Sequence, residues 1–347
     1  MMVAGIAQRS LMEAADGSAV LVIDQTRLPG RLVLARLGTL DDAVHAITSM
    51  QVRGAPLIGV TAAYGLALAL RHDADDTNLA LAAERLAAAR PTAVNLRWAL
   101  DRICTGVIVL PPAERAEAAW DLAGRLVEGE VAACEAIGRH GASVLRNRLA
   151  ERGGDGPLQV LTHCNAGWLA TVEWGTALAP LYRLHDEGTA VHVWVSETRP
   201  RNQGHLTLWE LSQHGVPCTM VVDNAAFQLM QEGRVDLCVV GADRITRAGD
   251  VCNKIGTALK ALAAWEWEIP FYVAAPASTI DWTLSDAAAI PIEERSPREV
   301  VDDDRVPVFN PGFDVTPARL VTGLITERGV SPASEPGLAA LFGKGVG

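Results

Sequence analysis

The chain has 347 residues, of which 49% are hydrophobic, and it carries a formal net charge of −11. The apolar content is enough for a large core and excludes a disordered chain, and the length predicts two domains. The acidic balance argues against a nucleic-acid surface, which needs a basic face, and the absence of polybasic runs argues against an anionic membrane as partner. A small anionic ligand stays compatible, because a few clustered Arg and Lys side chains can make a positive pocket.

The first 150 residues predict a mainly helical domain with a short strand at 18–24. Thr39 is typical of a helix N-cap because Asp41 and Asp42 follow it in the first turn. Further helices are predicted over 55–70, 78–90 and 95–103, the last capped by Thr92 after Pro91, and within 112–150. The apolar segment 55–70 is flanked by arginines and is too short to span a membrane, so it predicts a buried core helix.

The Gly-rich stretch 151–157 marks a boundary, so we expect a mainly helical domain over 1–150 and a second domain over 151–347. Short apolar runs then alternate with helix-length segments. The runs lie at 158–162, 190–195, 218–222, 236–241 and 271–275. This alternation predicts βαβ units and a parallel sheet, hence an α/β, Rossmann-like domain.

Each predicted strand ends in a polar cluster, where open parallel sheets bind their ligands. With the common strand order 3-2-1-4-5, Cys164 after strand one and Asp243 after strand four would face one crevice. A thiol there can act as a nucleophile or charge stabiliser if its surroundings tune its pKa. Taken alone, Cys164 could equally be a small buried residue, and Asp243 could simply pair with Arg244. Adjacent residues of an extended chain point to opposite sides, so His163 is interpreted as structural rather than as a partner of Cys164.

The known nucleotide signatures are missing from the sequence. No G-x-G-x-x-G follows a strand, and no P-loop motif is present. A bound phosphate would therefore depend on helix N-termini and on basic side chains. The candidates are Arg53 with Gly54 at the start of one helix, Arg97, and Asn253 with Lys254, which we expect at the N-terminus of another.

Six cysteines occur and none forms a C-x-x-C pair, which indicates reduced thiols in a cytosolic enzyme rather than zinc ribbons or disulfides. No early segment has the character of a secretory signal. We expect a cytoplasmic protein.

Several blocks carry a resemblance to a known family. They are QVRGAPLIG, RPTAVNLRWAL, LTHCNAGWLAT, SETRPRNQG, VVDNAA, GADRITRAGDVCNKIGT, FYVAAPAST and IPIEER. The set, from about residue 20 to about residue 330, resembles the methylthioribose-1-phosphate isomerases of methionine salvage. Their superfamily also holds ribose-1,5-bisphosphate and 5-deoxyribose-1-phosphate isomerases and the regulatory subunits of eukaryotic initiation factor 2B.

The resemblance implies a helical N-terminal domain, a Rossmann-like C-terminal domain and a homodimer. It implies an aldose–ketose isomerase that converts 5-methylthioribose 1-phosphate to 5-methylthioribulose 1-phosphate without metal, nucleotide or other cofactor. Cys164 matches the essential cysteine of the family and Asp243 its acid/base. The positions that match substrate-binding residues are Arg53, Gly54, Ala55, Arg97, Gln203, Asn253 and Lys254. The other sugar-phosphate isomerases and a non-catalytic regulatory protein stay open as alternatives.

The chain departs from the family pattern at a few positions. Trp168 stands where a smaller residue is expected and Cys252 where alanine is more usual, and Phe227 and Gln228 are also less typical. Trp168 could reshape the pocket around the substituent at C5. In the implied reaction Asp243 moves protons between sugar oxygens, while Cys164 serves either as base on an enediol route or as charge stabiliser during hydride transfer from C2 to C1. An apolar pocket would favour hydride transfer.

Overall fold

The computed structural model describes residues 1–3, 5–90 and 93–343, and the chain divides into two compact units. The N-terminal unit comprises Met1, Ala7–Ala132 and Trp168–Glu173. The C-terminal unit comprises Met2–Ile6, Ala133–Gly167 and the described part of 174–347. The division at residue 150 that the sequence suggests stays a prediction.

The N-terminal unit contains a small antiparallel sheet. After the short strands β1 (Met2–Val3) and β2 (Ile6–Ala7), the strands β3 (Leu11–Glu13), β4 (Val20–Ile23) and β5 (Leu34–Leu37) pair in the order β3-β4-β5. The predicted strand at 18–24 is confirmed as β4, which is paired on both sides.

Helices make up most of the N-terminal unit, as predicted. They are α1 (Leu40–Thr48), α2 (Ala55–His72), α3 (Asp76–Ala89), α4 (Val94–Val107) and the first part of α5 (Pro112–Glu151). Thr39 caps α1 in a capping box: its hydroxyl accepts from the Asp42 amide while the Asp42 carboxylate accepts from the Thr39 amide. The predicted cap at Thr92 and the predicted stop at Pro91 lie outside the described residues.

Helix α2 is the centre of this unit, since every residue from 55 to 70 is buried. Its packing against α4 is close: a Cβ atom on Gly59 would lie 2.8 Å from the Asn95 carbonyl oxygen. A glycine is therefore needed at this crossing. The predicted buried core helix is confirmed.

A seven-stranded sheet forms the core of the C-terminal unit. Its strands are β6 (Leu158–Thr162), β7 (Val191–Ser196), β8 (Cys218–Val221), β9 (Leu237–Val240), β12 (Phe271–Ala274), β15 (Gly323–Thr326) and β16 (Gly329–Ser331), in the order β16-β15-β12-β9-β6-β7-β8. The first five confirm the predicted strands and the assumed 3-2-1-4-5 order, and all pairs except β15–β16 are parallel. The flanking helices are α6 (Ala179–Asp186), α7 (Gly204–His214), α8 (Ala225–Gln231), α9 (Thr257–Glu266) and α10 (Glu335–Phe342).

A second sheet in this unit was not expected from the sequence. It joins β10 (Arg244–Thr246), β11 (Val251–Lys254), β13 (Ile280–Asp281) and β14 (Phe313–Thr316) in the order β13-β10-β11-β14. The segment after the fourth parallel strand is thus a hairpin of β10 and β11 rather than a simple turn.

None of the helices in the described ranges combines the length and the apolar character that a bilayer span requires.

Candidate active site

Cys164 follows β6 at the carboxyl end of the parallel sheet, as the sequence predicts. Its φ of +65° places it in the left-handed region, which costs a non-glycine residue about 1–2 kcal/mol. Its amide donates to Thr198 Oγ1 at 2.9 Å, and its carbonyl oxygen accepts from Thr207 Oγ1 at 2.7 Å. The residue is half-buried and tied to the two segments after β7.

The loop after β7 is strained and is held by Asp223, which follows β8. Thr198 has a φ of +66°. The Asp223 carboxylate accepts from Ser196 Oγ at 2.5 Å, from the Thr198 amide at 2.9 Å and from the Arg199 amide at 2.7 Å. Burial would raise the pKa of Asp223, but these hydrogen bonds and the nearby Lys260 ammonium together lower it. Strained backbone supported in this way is common at functional sites.

His163 is a buried neutral residue. Its Nε2 atom donates to the Ile255 carbonyl oxygen at 2.8 Å, and its Nδ1 atom lies 3.4 Å from Thr198 Oγ1 and 3.8 Å from Asp223 Oδ1. Burial, reinforced by the Lys260 charge, lowers the pKa of His163 to about 3. The ring therefore connects the end of β6 to the loop before α9, which agrees with the interpretation of His163 as a structural residue.

Asp243 lies between β9 and the β10–β11 hairpin. Its amide donates to the carbonyl oxygen of Cys252, the residue that pairs with Arg244 in the hairpin, at 3.0 Å. Just before it, Gly241 lies against the Cys164 loop, since a Cβ atom there would be 2.7 Å from Ala166 Cβ. The segments that carry Cys164 and Asp243 therefore meet where the strand order reverses. Burial raises the pKa of the neighbouring Cys252 to about 12, which keeps that thiol protonated.

Gln203 belongs to the same end of the sheet. It precedes α7, whose Thr207 contacts the Cys164 carbonyl oxygen. Its side chain is 7% exposed, and its Oε1 atom has no hydrogen-bond partner among the described residues. A buried acceptor of this kind is costly unless a ligand or water satisfies it.

The prediction that Asn253 and Lys254 stand at a helix N-terminus is wrong, because they end strand β11 and α9 begins at Thr257. The carboxylate of Asp314, on β14, occupies that helix end by accepting from the Gly256 and Ala258 amides. Burial raises the pKa of Asp314 to about 6. An anionic ligand would meet a protein carboxyl there.

Both residues nevertheless have defined places in the fold. Asn253 is 4% exposed and donates from Nδ2 to Thr257 Oγ1 at 3.0 Å. Lys254 donates from Nζ to the Gly312 carbonyl oxygen at 2.8 Å and lies 4.3 Å from the centre of the Phe313 ring. Asn253 directly follows Cys252, whose carbonyl oxygen accepts from the Asp243 amide.

The remaining predicted residues lie in the N-terminal unit, at the start of α2. Gly54 is the N-cap with a φ of +97°, Ala55 is the first helical residue, and the half-buried Arg53 precedes them. Gly54 has no side chain that could cap this helix end, and Pro56 occupies its first turn. The backbone of Ala170 packs on Gly54, where a Cβ atom would be 2.2 Å from the Ala170 carbonyl oxygen. An uncapped helix N-terminus beside an arginine is suited to an anion.

Arg97 lies on the exposed face of α4. It lines a groove of about 490 Å³ between α3 and α4, together with Glu84, Asp101 and Cys104 among others. Asn95, two residues earlier, packs on Gly59 of α2. Arg97 is thus placed as a solvent-facing cation near the α2–α4 crossing.

Two charged residues of the C-terminal unit were missed by the sequence reasoning. Glu210 is wholly buried in α7 and accepts from Asn165 Nδ2 at 2.8 Å and from the Tyr182 hydroxyl at 3.0 Å. Lys260, on α9, is 3% exposed and has Nζ 3.6 Å from Asp223 Oδ1. The helical spacing of the apolar residues around them could have indicated their burial, because each lies on the inner, apolar face of an amphipathic helix. Within the described ranges, no group of three or more His, Cys, Asp or Glu side chains is arranged to hold a metal ion.

The model of the initiation factor 2 subunit family matches residues 51–333. A methylthioribose-1-phosphate isomerase of Methylorubrum populi is 59% identical, over 99% of this chain and 98% of that protein. The protein of the same name from Rhodospirillum rubrum is 54% identical, over 99% of this chain and 93% of its own length.

Solved structures agree with this assignment. The crystal structure of 5-methylthioribose 1-phosphate isomerase from Pyrococcus horikoshii OT3 is 40% identical with a TM-score of 0.85, over 97% of this chain and 96% of that one. That of translation initiation factor eIF-2B, subunit delta, from A. fulgidus is 38% identical with a TM-score of 0.81, over 96% and 99%. The chain therefore belongs to the initiation factor 2 subunit family, together with the proteins named methylthioribose-1-phosphate isomerase.

Proposed function

We propose that this chain is an aldose–ketose isomerase that converts 5-methylthioribose 1-phosphate to 5-methylthioribulose 1-phosphate in methionine salvage. One observation carries the proposal: the Cys164 loop and the segment leading to Asp243 meet at the carboxyl ends of β6 and β9, where the sheet order reverses. The proposal is further supported by relatives of that name at more than half identity over nearly the whole chain.

Asp243 is the proposed acid and base. As a carboxylic acid it donates a proton to the ring oxygen O4 while the C1–O4 bond breaks. As a carboxylate it then takes the proton from the 2-hydroxyl group, and C2 becomes the ketone. The hydrogen on C2 must meanwhile reach C1, which keeps its phosphate and becomes a CH₂ group. This exchange of protons between two sugar oxygens requires one carboxyl with a pKa near the working pH.

Cys164 faces the C1–C2 bond in this proposal. On an enediol route its thiolate takes the C2 hydrogen as a proton and returns it to C1. On a hydride route the C2 hydrogen moves to C1 with its electron pair, and the thiolate stabilises the positive charge at C1. The reaction is run in deuterium oxide: solvent deuterium at C1 of the product supports the enediol, and its absence supports hydride transfer or a base shielded from solvent.

The substrate-binding residues divide by chemistry. The phosphate is assigned to Arg53, to Arg97, to Lys254 and to the uncapped start of α2 at Gly54 and Ala55. The buried Oε1 atom of Gln203 and the amide of Asn253 are assigned to sugar hydroxyl groups. A hydroxyl that donates to Gln203 Oε1 would satisfy an acceptor that has no hydrogen-bond partner among the described residues.

An activity assay tests the function directly. Purified protein is incubated with 5-methylthioribose 1-phosphate, 5-deoxyribose 1-phosphate and ribose 1,5-bisphosphate, and kcat/KM is compared. We expect turnover of the first, with the 5-deoxy compound second because it lacks only the apolar methylthio tail. Binding of a sugar phosphate without turnover would instead identify a regulatory protein.

The protein is also proposed to be a cytoplasmic homodimer. Support for the dimer comes from an apolar surface of α8, α9 and the residue after α9, where Phe227, Leu259, Trp265 and Trp267 are 46%, 68%, 62% and 38% exposed. The change Trp265→Glu should yield a monomer by light scattering coupled to gel filtration. A dimer of unchanged affinity would exclude this surface as the interface.

A fluorescent fusion confined to a membrane or compartment would contradict the proposed location.

A further inference from the structure

We propose that Asp223 and Lys260 are positioning residues for Cys164. They hold Thr198, and Thr198 in turn holds the backbone of Cys164 in the left-handed conformation that presents its thiol. This inference deepens the proposed function and rests on Cys164 as the catalytic thiol.

The chain of contacts begins at two strained residues. Cys164 and Thr198 have φ angles of +65° and +66°, and the Cys164 amide donates to Thr198 Oγ1 at 2.9 Å. The left-handed conformation is unfavourable for any residue other than glycine, so both residues relax unless the surrounding structure prevents it. A relaxed Cys164 backbone would rotate the direction of Cα–Cβ and move the sulfur.

Asp223 supplies the restraint on Thr198. Both of its carboxylate oxygens are used: Oδ1 accepts from Ser196 Oγ and the Thr198 amide, and Oδ2 accepts from the Arg199 amide. One side chain therefore fixes the backbone on both sides of the Thr198 α-carbon. An amide side chain in its place would have only one acceptor oxygen for these three donors.

Lys260 in turn restrains Asp223. It is 3% exposed, and its Nζ atom lies 3.6 Å from Asp223 Oδ1. Burial lowers the pKa of Lys260, and Asp223, Asp314 and the Cys238 thiol oppose that effect, with Asp223 the strongest of the three. An ammonium group is expensive to bury, and losing one partner leaves the other charge uncompensated. Lys260 thus keeps Asp223 ionised and oriented.

His163 completes the cluster from the β6 side. Its Nδ1 atom lies within 3.4 Å of Thr198 Oγ1 and within 3.8 Å of Asp223 Oδ1. The residue preceding Cys164 therefore contacts the same threonine and aspartate. The loop after β6 and the loop after β7 are held through one cluster, in which the partly exposed Asp223 contacts the buried Lys260, His163 and Thr198.

The test uses the full-length protein with Asp223→Asn, Lys260→Met and Thr198→Val, with Thr198→Ser as the conservative variant that keeps the hydroxyl. For each, kcat, KM and the thermal midpoint are measured. The rate at which iodoacetamide alkylates Cys164 is measured by peptide mass spectrometry, with Cys164→Ser as the blank.

We expect kcat to fall about 10–100-fold in the first three variants with KM within about three-fold, because small misplacement of a reacting group costs rate rather than binding. The rate of Cys164 alkylation should also depart from the wild-type rate in these three variants. Thr198→Ser should keep most of the wild-type kcat.

A matched control lies at the other end of the sheet. Asp236 Oδ2 likewise accepts from a backbone amide, that of Gln159 at 2.7 Å, and pairs with Arg152 Nη1 at 3.0 Å. Asp236→Asn should lower the thermal midpoint and leave kcat and Cys164 alkylation unchanged.

The proposal is overturned if Asp223→Asn and Lys260→Met behave like Asp236→Asn, losing stability while kcat and alkylation stay at wild-type values. If either fails to fold, the comparison of Thr198→Val with Thr198→Ser decides in the same way. Failure of the proposed function can be distinguished from failure of this proposal. If the wild type shows no turnover, the alkylation rates still measure independently how Cys164 is placed in each variant.

Discussion

The two units of the molecule carry different kinds of functional group. The N-terminal unit contributes arginines and the uncapped start of a buried helix, where Gly54 permits a backbone conformation closed to other residues. The C-terminal unit contributes a thiol and a carboxyl on segments after parallel strands, together with the contacts of Asp223, Lys260 and Glu210. Fixed positive charge and backbone amides suit binding, whereas acid–base chemistry needs side chains held in one orientation. The proposed chemistry is therefore assigned to the C-terminal unit alone, whereas the proposed substrate binding involves residues of both units, with Gln203, Asn253 and Lys254 in the C-terminal one.

The largest expected effect is on turnover in the C-terminal unit. Cys164→Ser and Asp243→Asn should each lower kcat about 1,000-fold or more while KM changes by a few-fold, because each removes a group that acts on the reacting atoms. Steady-state kinetics with 5-methylthioribose 1-phosphate measure both parameters. Near-normal turnover by Cys164→Ser would break the assignment of chemistry to this unit.

The next effect is an acid-dependent loss of stability from His163, whose folded pKa is lowered to about 3 by burial. Because this value lies below the unfolded value of about 6.5, the residue stabilises the fold fully above pH 6.5, and that contribution is lost as the pH falls towards 3. The loss should reach roughly 3 kcal/mol by pH 4. The measurement is the difference in unfolding free energy between wild type and His163→Gln from pH 7.5 to 4. A difference independent of pH would show that the pKa of His163 is the same in the folded and the unfolded protein.

A change in the N-terminal unit should act on structure and binding together. Gly54→Ala places a Cβ atom 2.2 Å from the Ala170 carbonyl oxygen at a φ of +97°, so we expect a loss of about 2–3 kcal/mol in unfolding free energy and weaker substrate binding. The control is Gly188→Ala, where φ is +82° but no atom lies within 4 Å of the new Cβ. That control should cost about 1 kcal/mol. Equal losses in urea denaturation would show that the close approach at Gly54 is unimportant.

The smallest expected effect is on substrate binding by Arg97, an exposed residue of the N-terminal unit. Arg97→Ala should raise KM about ten-fold with kcat changed less than three-fold, since it removes a charge contact made equally in ground and transition states. Arg85, exposed on α3 and paired with Asp41, provides the control, and Arg85→Ala should leave both constants unchanged. A fall in kcat with unchanged KM would move Arg97 from binding to chemistry.

Much of the fold was predictable because the local signals were strong. The capping box at Thr39, the all-apolar α2 and the five parallel strands follow from periodicity and turn chemistry that act over a few residues. The β10–β11 hairpin was not predictable, because strands of three or four residues lack a readable period and this pair is completed by β14, some sixty residues later. The placement of Asn253 and Lys254 at a helix start was wrong for that reason.

The sequence by itself determined the class of fold, the family resemblance and the positions of Cys164 and Asp243 after strands one and four, since these depend on motifs and on patterns along the chain. Only the tertiary structure decided what surrounds them. Asp314 occupies the N-terminus of α9, and Lys260 and Asp223 hold the Thr198 loop, through contacts between residues far apart in sequence. The local sequence does not distinguish a buried lysine or glutamate on a helix from one that faces solvent. The packing of the whole unit decides whether the charged group is buried and must therefore find a partner.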